Sequence, residues 1–166
     1  MTAEEWASSN CAQSMLSGLH QSQPGFLRTQ LLPIYKFLIA CCWKHKHLIP
    51  QDGLRNGLIG AEKWIKGEID NDELDRLNYY AEADAFFIDY AETPTEISEL
   101  GTLINGIVEL RGMPFEEARS LLKNAAYFAE GSMTYPRFDS LPWVRNLFRS
   151  EFLCPDLLRE FVKPNF

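Results

Sequence analysis

Apolar side chains recur along this chain at intervals of three and four residues, and no stretch alternates steadily between apolar and polar positions. The first spacing puts side chains on one face of an α-helix, whereas steady alternation would indicate a strand. The most apolar stretch is LLPIYKFLIACCWKHKHL, residues 31–48. Within it, intervals of three and four residues separate Ile34, Phe37, Leu38, Cys41 and Cys42. Pro33 has no amide hydrogen, so it should lie in the first turn of this core helix or mark a kink before it.

Start and stop signals divide the rest of the chain into further helices. Asp70 with Glu73, and Thr93 with Glu96, have the spacing of capping boxes. Gly67, Gly112 and Gly131 are read as helix stops, and the pattern predicts a loop over 132–140 followed by a cap at Ser140. The predicted helices span 12–20, 31–48, 52–67, 71–91, 94–112, 115–131, 141–152 and 155–161. The pattern therefore predicts an all-α bundle of about six to eight helices, whose order in space it does not define.

Glycine and aromatic positions add two expectations about packing. Gly57 and Gly60 lie inside the helix predicted over 52–67, where glycine permits the close approach of another helix. Phe115 is the first of the residues predicted to be buried on the helix that follows Pro114.

The size of the chain limits the architecture. With 166 residues, 46% of them hydrophobic, residues 1–166 are expected to form one domain around one core. The apolar run 37–42 is far shorter than the roughly 20 residues of a membrane span, so no membrane association is predicted. The opening MTAEEWASSN carries acids where an export signal has basic and then apolar residues, so the expected compartment is the cytoplasm.

Charge is distributed unevenly along the chain. The formal net charge is −7, and between residues 67 and 99 every charged residue except Arg76 is acidic. A nucleic-acid-binding protein needs a concentrated basic face, so no nucleic-acid partner is predicted. The acidic residues are read as a solvated helix face.

Common catalytic templates are absent from the sequence. It contains no phosphate-binding glycine loop, no dinucleotide fingerprint and no hydrolase nucleophile elbow. Histidine occurs at positions 20, 45 and 47, too few for the paired Glu-x-x-His motifs of di-iron bundles. We therefore expect no cofactor and favour a noncatalytic protein.

The segment CCWKHKH offers one metal hypothesis. On a helix, His45 lies three and four residues after Cys42 and Cys41, and thiolate with imidazole suits zinc or copper. Further ligands would come from His20, His47, Cys11, Cys154 or a carboxylate. The alternative is that Cys41 and Cys42 are free thiols packed in the core.

A second candidate is the helix segment YYAEADAFFIDY, residues 79–90, which mixes aromatic and acidic side chains. One interpretation is a small-molecule groove, in which Glu82, Asp84 or Asp89 meets a cationic or hydroxylated ligand beside aromatic rings. The other is a helix packed on two sides with tyrosine hydroxyls at its boundary.

Several short motifs together resemble an uncharacterised family of small planctomycete proteins. They are the AEEW opening, the pair Met15 and Leu16, the Ala-Cys-Cys-basic helix at 40–46, the arginine-led helix at 55–67 and the closing LLR segment at 157–166. The resemblance implies a helical protein of the bacterial cytoplasm, and it implies no catalytic residues. It also draws attention to Cys41 and Cys42, which match a family feature.

The leading hypothesis from the sequence is a noncatalytic helical module that acts through protein contacts, as a homodimer or with another protein. Its interface is expected in the segment 141–161, which has more large apolar side chains than one face of a short helix can bury. These side chains are Trp143, Phe148, Phe152 and Phe161.

Overall fold

Ten α-helices form the framework of the protein in the computed structural model, which describes residues 1–134, 136 and 141–166, apart from the side chains of residues 141 and 142. The helices are α1 Ala3–Ser8, α2 Ala12–Ser22, α3 Phe26–Thr29, α4 Leu31–Lys44, α5 Asp52–Ile65, α6 Asn71–Tyr90, α7 Pro94–Gly106, α8 Phe115–Met133, α9 Leu141–Arg149 and α10 Pro155–Phe161. Short 3₁₀ helices lie at Lys46–Leu48 and Val108–Leu110. Eight of the α-helices have seven or more residues, and no strand occurs in the described residues, so the all-α prediction is confirmed. Among these helices, none has the length and apolar character needed to cross a bilayer.

Local capping explains where α6 and α7 begin. Thr93 Oγ1 accepts a hydrogen bond from the Glu96 amide at 3.3 Å, and the Glu96 carboxylate accepts one from the Thr93 amide at 3.0 Å. The predicted capping box of α7 is therefore confirmed. At α6 only half of the box forms, because Asp70 accepts from the Glu73 amide at 2.9 Å while the Glu73 carboxylate binds Arg76 at 2.7 and 2.8 Å.

Two helix ends differ from the prediction. Helix α7 ends at Gly106 rather than near Gly112, because Ile107 adopts an extended conformation that places its side chain in the core. Helix α8 continues through Gly131 to Met133, so Gly131 is a buried packing position and not a stop. The Ser132 hydroxyl, fully buried, donates to the Phe128 carbonyl at 2.6 Å and is thereby satisfied within the helix. Ser132 and Met133 are therefore helical rather than part of the predicted loop, and most of that loop, with the predicted cap at Ser140, lies outside the described residues.

Helices α4 and α8 lie at the centre of one hydrophobic cluster that gathers the buried side chains of the described chain. Helix α4 buries Ile34, Tyr35, Phe37, Leu38, Ile39, Cys41 and Cys42. Pro33 lies in its first turn, as predicted. The Tyr35 hydroxyl donates to the Met133 carbonyl at 2.8 Å and so joins α4 to the end of α8. Phe115, predicted to be buried, is 38% exposed at the start of α8.

Helices α5 and α6 form the most extensive helix pair. A Cβ atom built at Gly57 would lie within 3.0 Å of the Met133 sulfur, and one built at Gly60 would lie as close to the end of Leu77. Glycine at these positions therefore permits the close approach that the sequence predicts. The Asp84 carboxylate of α6 accepts from the Gly53 amide at 2.6 Å and so caps the first turn of α5.

Candidate functional site

The two adjacent cysteines of CCWKHKH lie in the interior. Cys41 and Cys42 are both fully buried on α4. Burial raises the pKa of the Cys41 thiol to about 12 and raises the pKa of Cys42 further still. In the metal-free protein both side chains are therefore neutral thiols at neutral pH, and a zinc or copper ion would have to displace their protons.

His45 lies at the end of the same helix, at the boundary of the core. Its ring packs edge-on against Phe152, with ring centroids 5.2 Å apart. Burial lowers the pKa of His45, and the nearby His47 lowers it further. Within the described parts of the chain, no three His, Cys, Asp or Glu side chains come together as metal ligands would. Cys41 and Cys42 pack inside the core and His45 packs at its boundary, and the metal hypothesis for these three residues stays a prediction.

A contact that the sequence does not reveal joins this segment to the C-terminal helix. The Lys44 ammonium donates to the Cys154 sulfur at 3.0 Å, across 110 residues of sequence. Burial alone would raise the pKa of Cys154, but the Lys44 ammonium and the backbone amides of Leu157 and Asp156 together lower it by more, so the net shift is downward. The local sequence gives no signal for this pair, because Lys44 and Cys154 are 110 residues apart.

The aromatic and acidic segment 79–90 lies on α6, and its tyrosines face solvent. Tyr79 and Tyr90 are each 70% exposed and Tyr80 is 53% exposed. The inward side of the helix is made of small and branched residues such as Ala81 and Ile88. We define the α6 outer face as the exposed side chains Asp72, Asp75, Arg76, Tyr79, Tyr80, Glu82 and Tyr90.

Two of the three carboxylates predicted to meet a ligand are engaged within the protein. Asp84 caps α5 through the Gly53 amide. Asp89 binds the Lys123 ammonium at 2.6 Å and also accepts the Tyr127 hydroxyl. Burial acts to raise the pKa of Asp89, but these two partners lower it by more. Of the three, Glu82 is exposed on the outer face, whereas Asp84 and Asp89 are held by contacts within the protein.

A concavity with charged walls lies between α8 and α9. It has a volume of about 280 Å³. Arg145 and Arg149 of α9 line it together with the buried amide of Asn146. That amide is held in place, because its nitrogen donates to the Phe128 carbonyl at 2.8 Å and to the Ser132 hydroxyl at 2.9 Å.

The C-terminal aromatic residues predicted to form an interface are used inside the protein. Trp143 is fully buried and Phe152 is 4% exposed. Phe148 and Phe161 are partly buried against the same core. An interface built from these four side chains is therefore not available at the surface, and the reason is that α9 and α10 pack on α2, α4 and α8.

Comparisons with known protein families, with curated proteins and with solved structures gave no match for this chain.

Proposed function

We propose that this protein is a noncatalytic binding module of the bacterial cytoplasm whose α6 outer face receives an arginine-containing basic segment of a partner protein. The observation that carries the proposal is the exposure of Tyr79 and Tyr90, each 70%, on a helix face whose charges are acidic apart from Arg76. Exposed rings of this size leave apolar area in water that a partner would cover.

The chemistry of this face suits arginine. A guanidinium ion stacks on a tyrosine ring with about 0.5–1 kcal/mol at exposed sites, and it binds carboxylates through two parallel hydrogen bonds. Arg76 makes both kinds of contact within the chain, to a carboxylate and to a tyrosine ring. It binds the Glu73 carboxylate at 2.7 and 2.8 Å, and its guanidinium carbon lies 5.7 Å from the centroid of the Tyr80 ring. A partner arginine would repeat this arrangement at Tyr79 or Tyr90.

Charge favours a basic partner over a second copy of the chain at this face. A twofold dimer interface puts the same patch of each subunit against the other. The acidic patch that contains Asp72, Asp75 and Glu82 would then face the same acidic patch of the other copy, and like charges across an interface oppose association. Self-association would have to use another surface.

Peptide titration tests the proposal. Two synthetic nonapeptides of equal charge, one built from arginine and serine and one from lysine and serine, are titrated calorimetrically at low and at physiological salt. We expect the arginine peptide to bind more tightly, because lysine lacks the planar group that stacks on tyrosine. The double variant Tyr79→Ser/Tyr90→Ser should lose this preference, whereas Val108→Ser, 66% exposed and outside α6, should keep it.

Equal binding of the two peptides, unchanged by the tyrosine substitutions, would refute the proposal. It would leave the acidic residues of α6 as a solvated surface that attracts any polycation. Loss of the arginine preference in the Val108 variant as well would mean that the peptide binds elsewhere.

A further inference from the structure

The contact between Lys44 and Cys154 brings two reactive side chains together at the edge of the core. Lys44 is exposed in the last turn of α4, and Cys154, 6% exposed, directly precedes α10. The ammonium nitrogen lies 3.0 Å from the sulfur, which is short for a contact to sulfur. The exposure of Lys44 and the 6% exposure of Cys154 place the sulfur at the boundary between the core and solvent.

A second thiol lies at the same point. Cys41 precedes Lys44 by three residues, so both project from the same side of α4. The Cys41 thiol lies against the backbone of Cys154 and close enough for the two sulfur groups to influence each other's ionisation. Helix α10 packs mainly on α4, which keeps the three groups together.

The two thiols differ in ionisation. Burial would raise the pKa of Cys154, but its contact with Lys44 and the backbone amides of Leu157 and Asp156 together lower the pKa by more. Burial raises the pKa of Cys41 to about 12. A thiolate is the nucleophile in cysteine oxidation, so Cys154 should react before Cys41. Cys41 stays protonated until the sulfur of Cys154 has been oxidised.

We propose that Cys154 is a modification site for hydrogen peroxide, that Lys44 is its positioning residue, and that Cys41 resolves the oxidised product as a disulfide between α4 and α10. In the first step the Cys154 thiolate attacks one peroxide oxygen. The O–O bond breaks, an S–O bond forms, and the sulfur is oxidised by two electrons to a sulfenic acid while the hydroxide leaving group takes a proton and departs as water. In the second step the Cys41 sulfur attacks the sulfenic sulfur. The S–O bond breaks, the S–S bond forms, and the Cys41 proton leaves with the hydroxyl group as a second water.

Oxidation of the full chain tests the proposal, with Cys11 as an internal reference. Cys11 is the exposed cysteine, and hydrogen bonds from Ser14 lower its thiol pKa, so exposure alone would make it the faster site. The protein is treated with increasing hydrogen peroxide at neutral pH, with and without dimedone, and each cysteine peptide is quantified by mass spectrometry. We expect Cys154 to be converted at least as fast as Cys11 and to appear in a disulfide-linked pair with Cys41.

Matched variants separate the roles of the neighbours. Cys41→Ser should remove the disulfide and leave a dimedone adduct on Cys154. Lys44→Gln should slow oxidation of Cys154 roughly tenfold for each unit by which its pKa rises, and should leave Cys11 unchanged. Lys46→Gln, an exposed lysine two residues further on, is the control and should change neither rate.

The outcomes are distinct. Cys154 unmodified at a dose that converts all of Cys11 would overturn the modification site. A disulfide from Cys154 to any cysteine other than Cys41 would overturn the assignment of the resolving thiol. Equal rates in the Lys44 and Lys46 variants would overturn the role of Lys44. None of these results bears on peptide binding at α6, because the two sites share no residue.

Discussion

Substitution of Gly57 by alanine tests how closely α5 lies against its neighbours. Gly57 is buried in the interior of α5. A Cβ atom at this position would lie within 3.0 Å of the Met133 sulfur and 3.3 Å from the Cβ of Ala81. Met133 is fully buried at the end of α8, so its side chain has little room to move away. The added methyl group must therefore displace packed atoms on two neighbouring helices.

The expected change follows from two opposing effects. Alanine is favoured over glycine inside a helix by about 1 kcal/mol. An extra methyl group in a well-packed core costs typically about 1–3 kcal/mol. We expect Gly57→Ala to lower the free energy of unfolding by about 1 kcal/mol. Gly101→Ala in α7 is the matched control, because nothing lies within 4 Å of its added Cβ, and it should raise the free energy of unfolding by about 0.5–1 kcal/mol.

Urea denaturation followed by circular dichroism measures both effects. If contact with Met133 causes the loss, Gly57→Ala should cost less in a Met133→Ala background, and the double-mutant cycle should give a coupling of at least about 0.5 kcal/mol. A Gly57→Ala variant that is stabilised as much as Gly101→Ala would refute the reasoning. It would mean that α5 does not approach α8 closely enough to require glycine.

Three further substitutions test individual contacts. Tyr35→Phe removes the buried hydrogen bond to the Met133 carbonyl and should lower the free energy of unfolding by about 1–3 kcal/mol in urea denaturation, whereas an unchanged midpoint would contradict that contact. Asn146→Ala removes two buried hydrogen bonds, to the Phe128 carbonyl and the Ser132 hydroxyl, and should lower it by a similar amount in the same assay. Asp89 has a lowered pKa in the folded protein, so its stabilising contribution is present above the unfolded-state value of 3.8 and is lost as the pH falls further through the folded value. The wild type and Asp89→Asn should therefore differ by about 1 kcal/mol or less at neutral pH, because Lys123 and Asp89 are partly exposed, and the difference should shrink as the pH falls below 3.8, as measured by denaturation across pH.

The sequence predicts helix starts better than helix ends in this protein. Thr93 and Glu96 determine the start of α7 through bonds between near neighbours, so four residues of sequence contain the whole signal. Gly131 was read as a stop because glycine often follows the last helical turn. In the fold Gly131 is buried inside α8, where a residue without a side chain suits the packing of the neighbouring helices. Local sequence cannot distinguish the two uses of glycine.

Burial was predicted correctly where one helix has a single obvious apolar stripe. Ile34, Leu38 and Cys42 follow the spacing of α4 and are all fully buried. Trp143 and Phe152 were assigned to an interface because α9 and α10 are too short to bury them by themselves. The structure buries both side chains, since several helices together supply the surface that one short helix lacks.

The candidate binding face was identifiable from sequence, but its available charges were not. Helical spacing places Glu82, Asp84 and Asp89 on one helix and suggests that all three are open to a ligand. Asp84 is engaged by a glycine amide of α5, and Asp89 by Lys123 of α8. Both partners come from other helices, so only the tertiary structure separates the engaged carboxylates from the exposed one.

Cysteine chemistry in this chain is determined by neighbours in space rather than in sequence. The basic residues after Cys41 and Cys42 suggest that these thiols are activated, yet burial raises the pKa of both. Lys44 instead contacts Cys154, and no lysine, arginine or histidine lies within four residues of Cys154 in the sequence. At Cys154 the ammonium group at 3.0 Å and two backbone amides of α10 together outweigh burial and lower the pKa of the thiol. These partners are brought to Cys154 by the packing of α10 on α4, which the local sequence around either cysteine does not reveal.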